Sequence, residues 1–416
     1  MLYVNFIFMY FRYDIVKKES LMSIQFSEKP QKNYFLSQPH QPFFVLGFIN
    51  AIVTMLIFML SYKGIVSLTL DAPSFHAYSL IFMLFTPVFL AFVFTTFPRF
   101  AGTPAIKQSI YIEIFSLFVI GSILFILGAL FNAFIYKTGM FLLLSAHAWG
   151  IKILLDIFKS TKMEDKYDLF WILTTMIFGA VSHALFILGV FFSFSLQGFA
   201  TQIAIYLYIF LVTFSVAQRM VPFFSHCTVE KNRSLLKVVT LLLIVRIFLE
   251  LIYPHLSFLA DITLAFVIGK ELYRWKLPFP NPNPLLWILH ISLFWIPVAF
   301  FFSASANLLL LLKGTPFLLL DMHTLMLGFV FTILIGFGTR VTLGHSGNMM
   351  QADKWVTGLF YLTQVVVLVR ILVSLIAALG WNFMILFDIS VTVWLLLFIL
   401  WAVRFFAVLI KGKKLS

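Results

Sequence analysis

Cysteine is nearly absent. Cys227 is alone among 416 residues, which excludes an intramolecular disulfide framework and any cysteine-rich zinc or iron–sulfur site. A metal would have to rely on histidine, methionine, tyrosine or carboxylate. Charge is scarce as well, at 11% of residues, where soluble domains carry about a quarter. Acidic residues are the rarer sign, 16 against 29 Lys and Arg. Polar blocks are also short, none beyond Phe43 exceeding about 15 residues, so no sizeable water-exposed domain interrupts the chain.

What is there is apolar, 62% of residues spread along nearly the whole length, and this identifies an all-α, polytopic membrane protein. Twelve apolar runs of spanning length cover roughly 43–62, 75–97, 108–131, 134–158, 168–193, 199–222, 235–253, 255–275, 285–312, 317–341, 355–379 and 383–410. Helix-start punctuation fits them: Asp71-Ala72-Pro73 before the second run, Pro278 to Pro284 before the ninth, Gly314-Thr315-Pro316 before the tenth. The net charge of +13 would point to nucleic acid in a soluble protein, but here its placement explains it and no nucleic-acid partner is expected. One set of connections holds Arg99, Lys107, Lys159, Lys162, Lys166, Lys231, Arg233, Lys237, Lys270, Arg274, Lys276, Lys354, Lys411, Lys413 and Lys414. The other holds only Lys63, Lys137 and Lys313. The positive-inside rule puts both termini in the cytoplasm. The expected organisation is a cytoplasmic N-terminal segment, 1–33, and a single membrane domain, 34–416. Leu2–Phe11 is too short to span and has no cleavage-site pattern, and Met22 is an alternative start.

Ionisable residues at membrane depth face the bundle interior by default, with a partner or a function. With even-numbered helices running outside to inside, His76 and His323 sit at outer ends, preceded by Asp71 and Asp321 and, for the first, followed by Tyr78. His345 lies ~33 Å along the tenth helix from His323 if that helix is continuous, so the two cannot share a metal. At the inner ends, TTFPRFAG, AQRMVPFF and GTRVTLGHSG each place an arginine: Arg99, Arg219 and Arg340. Two readings stand for them: anchors snorkelling to lipid phosphate, or a basic belt binding an acidic group such as haem propionates. His147, His183 and His290 are expected as buried polar contacts, and His40, His226 and His255 as solvated loop residues. Arg246 and Glu250, four apart in the seventh helix, are expected to form a structural ion pair. Arg370 needs a partner from another helix, with Glu113 and Asp388 as candidates. No two histidines stand three or four apart, so a histidine site must draw ligands from separate helices.

Several motifs resemble those of the NnrS family, membrane proteins linked to nitric oxide stress and described as carrying haem and copper. PHQPFF at Pro39–Phe44 looks like the family's PFRPFF, and FHAYSL at Phe75–Leu80 with PRFAG at Pro98–Gly102 looks like its WHAHEM helix. RMVPFF at Arg219–Phe224 and PLLWILH at Pro284–His290 match further motifs. The most specific match is the tenth helix, with HTLMLG at His323–Gly328 and TRVTLGHSG at Thr339–Gly347. The similarity runs from about Pro39 to the end of the twelfth helix.

Three departures stand out: Tyr78 and Ser79 replace the family's second histidine and its glutamate, and Gln41 replaces an arginine. The resemblance implies a bacterial inner-membrane protein with a b-type haem, with copper as a second expected metal, handling nitric oxide or metal–nitrosyl species with an unidentified redox partner. It raises His76, His183, His290, His323 and His345 as ligand candidates. The expected site has His76 and His323 as ligands within reach of Tyr78 and Asp321. A twelve-helix solute transporter and a metal-free scaffold or sensor stand as alternatives. A haem–copper oxidase is excluded as the family because the chain lacks adjacent histidines on one helix and a His-x-His pair on another.

Overall fold

The computed structural model describes residues 33–192, 194–253 and 255–415. Phe35–Ser416 forms one compact unit, and the expectations for 1–32 lie outside the described residues. Every regular element among the described residues is helical. There are twelve long helices: α1 (His40–Tyr62), α2 (Ala72–Phe100), α3 (Gln108–Phe131), α4 (Ala133–Ser160), α5 (Tyr167–Phe192), α6 (Phe194–Phe224), α7 (Leu235–Ile252), α8 (Phe258–Trp275), α9 (Pro284–Lys313), α10 (Leu320–His345), α11 (Lys354–Ala378) and α12 (Met384–Lys411).

Ten of these are long and apolar enough to cross a membrane. The other two, α7 and α8, are 18 residues each and carry Arg246, Glu250, Asp261, Lys270, Glu271 and Arg274. An 18-residue helix still rises ~27 Å. Arg246 and Asp261 pair with each other inside the protein and Arg274 pairs with Glu271 at the end of α8, which is how two polar helices fit an otherwise apolar bundle.

Local signals start several helices as expected. Asp71 accepts from the Ser74 N–H with proline in the first turn of α2, while Asn132, Asn283 and Asp353 cap α4, α9 and α11 the same way. α10 starts differently: Leu319 takes a left-handed backbone (φ 46°) and offers no side-chain cap.

Every fourth helix is special. The apolar stretches of α2, α6 and α10 are 78%, 78% and 72% buried, against 33–56% for the other seven spans, so these three form the centre. Each widens mid-way into a π-helical stretch, at Ser79–Phe85, Ile203–Phe210 and Thr324–Phe331. Such widened turns concentrate at functional sites. The three helices touch through aromatic rings: Phe85 to Phe331 at 4.9 Å, Phe89 to Tyr208 at 5.6 Å and Phe210 to Phe329 at 5.7 Å. The Tyr208 hydroxyl also donates to Thr86 Oγ1 at 3.0 Å. Around this centre the remaining helices close a ring, with α12 packed back on α1.

Two glycines permit the closest approaches. A Cβ on Gly179 of α5 would lie 2.7 Å from the Tyr208 ring of α6, and one on Gly128 would lie 2.0 Å from the Tyr136 backbone across the α3–α4 hairpin. Large apolar side chains such as Ile123, Phe134, Phe266 and Val403 remain exposed on the outer helix faces, where lipid replaces a protein partner.

Candidate functional site

The five histidine candidates fall in four places. His76 at the start of α2 and His323 at the start of α10 face each other, ring centroids 6.5 Å apart and planes within 13°. That gap is too wide for van der Waals stacking. Two metal–nitrogen bonds of about 2 Å span roughly this separation when the ring nitrogens, rather than the ring faces, are turned toward one another. Phe58 of α1 covers the other side of His76 at 4.5 Å. His323 Nδ1 lies 3.0 Å from the Leu319 carbonyl, one turn back on its own helix. Arg370 lies alongside, its Nη2 3.1 Å from that Nδ1 and donating to the Leu318 carbonyl at 3.0 Å. Ser374 completes the knot, accepting from Arg370 at 2.6 Å and donating to Leu318 at 2.8 Å. The left-handed Leu319 turns consecutive carbonyls toward His323 and Arg370, and this is where the strained residue is used.

Tyr78 and Asp321 do not join this pair, contrary to the sequence expectation. Each stands two residues from its histidine, and two residues of helix turn about 200°, onto the opposite face. Tyr78 meets His183 of α5 instead, hydroxyl to Nε2 at 2.7 Å. His183 in turn faces His147 of α4, with the two Nδ1 atoms 3.5 Å apart. All three side chains are fully buried, and Phe82 stacks on His183 at 3.9 Å. Thus Tyr78, where the family motif has histidine, sits against the His183 imidazole, which in turn meets His147.

Asp321 joins Arg246. The expected Arg246–Glu250 pair does not form: Arg246 points into the bundle, its Nε donating to Asp261 at 2.7 Å and its Nη2 to Asp321 at 3.0 Å. Its guanidinium also lies over the Tyr206 ring at 3.9 Å. Glu250, one turn on at the loop end, accepts from Ser257 at 2.7 Å instead. A buried guanidinium takes the carboxylates that arrive from α8 and α10 because they satisfy it inside the protein, as its own helix neighbour cannot. Ser303 and Asn307 of α9 supply further donors to Asp261. Arg246, Arg370, Asp261 and Asp321 thus form a charge-balanced set beside the histidine pair, with Arg370 as the second cation. The candidates named for Arg370 are not its partners: Asp388 is taken by Lys63 at 3.2 Å and Tyr62 at 2.5 Å.

His290 Nδ1–H donates to the Pro278 carbonyl at 3.1 Å and Nε2 accepts from the Ser225 hydroxyl at 2.7 Å, tying α9 to two loops. His345 bonds Gln38 through Nδ1 at 2.8 Å and lies 4.5 Å from His40. His40 was expected to be solvated; it opens α1 and is 1% exposed, since the chain folds back over the end of α10.

The three arginines of the basic end differ. Arg219 is ion-paired with Asp168, which also takes Lys231, and lies over Phe100 at 4.0 Å. Arg340 lies over Phe224 at 4.1 Å, and neither it nor Arg99 has a carboxylate partner among the described residues. This belt stands ~25 Å along α10 from His323. It cannot serve an acidic group held at the histidine pair; the cation beside His323 is Arg370.

Residues 34–413, nearly the whole chain, match the sequence model of the family described as NnrS protein. The chain belongs to the NnrS family. No curated protein matches it. Among NnrS features, both tenth-helix motifs now have a position: HTLMLG opens α10 at the histidine pair, and TRVTLGHSG closes it at the basic end. Sequence reasoning missed the His147–His183 and His40–His345 contacts and placed Arg370 outside the site. The available signal was that an unpaired arginine inside an apolar helix requires a partner at its own depth.

Proposed function

We propose that this NnrS-family membrane protein binds a b-type haem between His76 and His323 and handles nitric oxide or metal–nitrosyl species in the bacterial inner membrane. The observation that carries this reading is the 6.5 Å, near-parallel separation of the two imidazoles. The donor set supports it. Among the described residues no three His, Cys, Asp or Glu side chains converge to hold a bare metal ion. Two imidazoles alone leave a six-coordinate metal short of ligands, and a porphyrin would supply the remainder. When bound, haem supplies a redox-active iron.

The chain's own residues do the rest. The Leu319 carbonyl and Arg370, both at Nδ1, orient the His323 ring. Arg370 provides a fixed positive charge at the depth where a propionate would lie. Phe58 shields one face of His76 from water. His76 has only ring contacts and no hydrogen bond among the described residues, so it is the less firmly held of the two. A redox partner would approach from this end, opposite the basic belt.

The test is optical spectroscopy of protein purified after haem-replete expression. A Soret band that shifts on adding nitric oxide is expected, lost in His76→Ala and in His323→Ala and kept in His290→Ala and His345→Ala. A colourless wild type, or full haem content in both outer-end variants, overturns the reading.

A further inference from the structure

Just past their π-helical stretches, the three central helices leave a cavity of about 50 Å³ between them, with Phe44 of α1 at its side. Val88 of α2, Val212 of α6 and Ile333 of α10 begin its wall. Each stands two or three residues beyond the end of the widened stretch on its own helix. A widened turn inserts one residue, and one residue of α-helix is about 100°, so the face that follows is rotated relative to a straight helix. The void is therefore placed by the same device on all three helices. Valine at Val88, Val93, Val212 and Val216 keeps the wall one methylene shorter than leucine would. No polar atom lines the cavity. Thr213 borders it, but its hydroxyl is spent on the Ile209 carbonyl at 2.7 Å.

We infer that this cavity holds one uncharged, apolar molecule of the size of a diatomic gas. Water is excluded because it needs two to four polar partners and finds none. An ion is excluded for the same reason with greater force. An apolar cavity of about 150 Å³ stays dry and takes benzene or xenon. At about a third of that volume, an acyl chain, an aromatic ring or a porphyrin does not enter. A small gas fits, and it supplies dispersion contacts to a wall that otherwise lacks partner atoms on that side. The cavity lies inward of the histidine pair, since Ile333 is ~15 Å along α10 from His323. A gas that partitions into the bilayer would thus be held in the bundle core between the two ends of α10. That the occupant is nitric oxide rests on the reading above; that the cavity takes a gas does not.

The experiment pressurises crystals of the full-length protein with xenon and reads anomalous diffraction. One xenon site among α1, α2, α6 and α10 is expected in the wild type, with or without haem. Val93→Ile and Val216→Leu each add one methylene to the wall. Both should lower xenon occupancy several-fold and melt no lower than the wild type, because they fill a void. Val403→Leu, on the exposed outer face of α12, should leave xenon binding unchanged. No xenon site in the wild type, or a site that both filling variants leave intact, overturns the inference. So does a lower melting temperature in both filling variants, which would mean that the wall is already closed. On haem-loaded protein, flash photolysis of bound nitric oxide should show a geminate rebinding phase that Val216→Leu removes. A xenon site without that phase would sink the nitric oxide assignment alone. The wild-type xenon measurement needs neither haem nor a variant, so failure of the haem reading leaves it standing.

Discussion

Arg246 shows how far a single side chain can bind distant elements together. It is 1% exposed and holds Asp261 of α8 and Asp321 of α10, two residues from His323. Removing one member of a buried ion pair leaves the other charge stranded, at a cost of about 3–5 kcal/mol. Arg246→Ala should therefore lower thermal stability sharply and loosen the start of α10. Glu250→Gln, removing the residue four positions on, should change stability by no more than about 0.5 kcal/mol, because its carboxylate bonds only Ser257. Fraction folded after graded heating, followed by monodispersity on size exclusion, separates the two. Equal losses would restore the helix-internal pair. Among the histidines, chemistry was legible from residue type and depth, but pairing was not. His76 and Tyr78 are neighbours in sequence and belong to different clusters because the helix turns between them.

At the scale of the element, α2, α6 and α10 do the central packing. The start of α2 follows from the Asp71 cap and Pro73 that the sequence displays, yet the π-helical widening in all three leaves no comparable local mark. α6 comes close to α5 only because Gly179 has no side chain: a Cβ there would meet the Tyr208 ring at 2.7 Å. Tyr208 carries the bond to Thr86 that joins α6 to α2, so the effect should spread beyond one contact. Gly179→Ala is expected to destabilise by about 1–3 kcal/mol through overpacking. Gly198→Ala, where nothing lies within 4 Å of the added carbon, should be silent in the same melting assay. Similar behaviour of the two variants would mean that the α5–α6 contact is loose.

Across the whole molecule, charge gives the orientation. The basic connections collect at the end of the bundle that holds Arg99, Arg219, Arg340 and the docked tail, where Lys414 bonds the carbonyls of Ser346 and Gly347. With Cys227 replaced by serine, single cysteines introduced at Lys162 and Lys413 should react with a membrane-impermeant thiol reagent only from the cytoplasmic side. Those at Lys63 and Lys313 should react only from the opposite side. Labelling of all four from one face would refute the orientation. The histidine pair and the basic belt lie at opposite ends of α10, about 25 Å apart along its axis.

The sequence by itself determined the class of the protein, the number of its helices, their order and their direction. Each of these follows from a requirement that local composition meets: an apolar run long enough for the bilayer, a cap at its start, a cation at the correct end. It also placed His76 and His323 at one depth, because depth is rise multiplied by residue count. Only the tertiary structure decided which side chains meet. Rotation about each helix axis, and the order of helices around the ring, are set by packing among twelve nearly uniform apolar surfaces. A pattern that is hydrophobic all round carries little record of which face turns inward. For that reason His147 found His183, Asp321 found Arg246, and Arg370 came to lie beside His323.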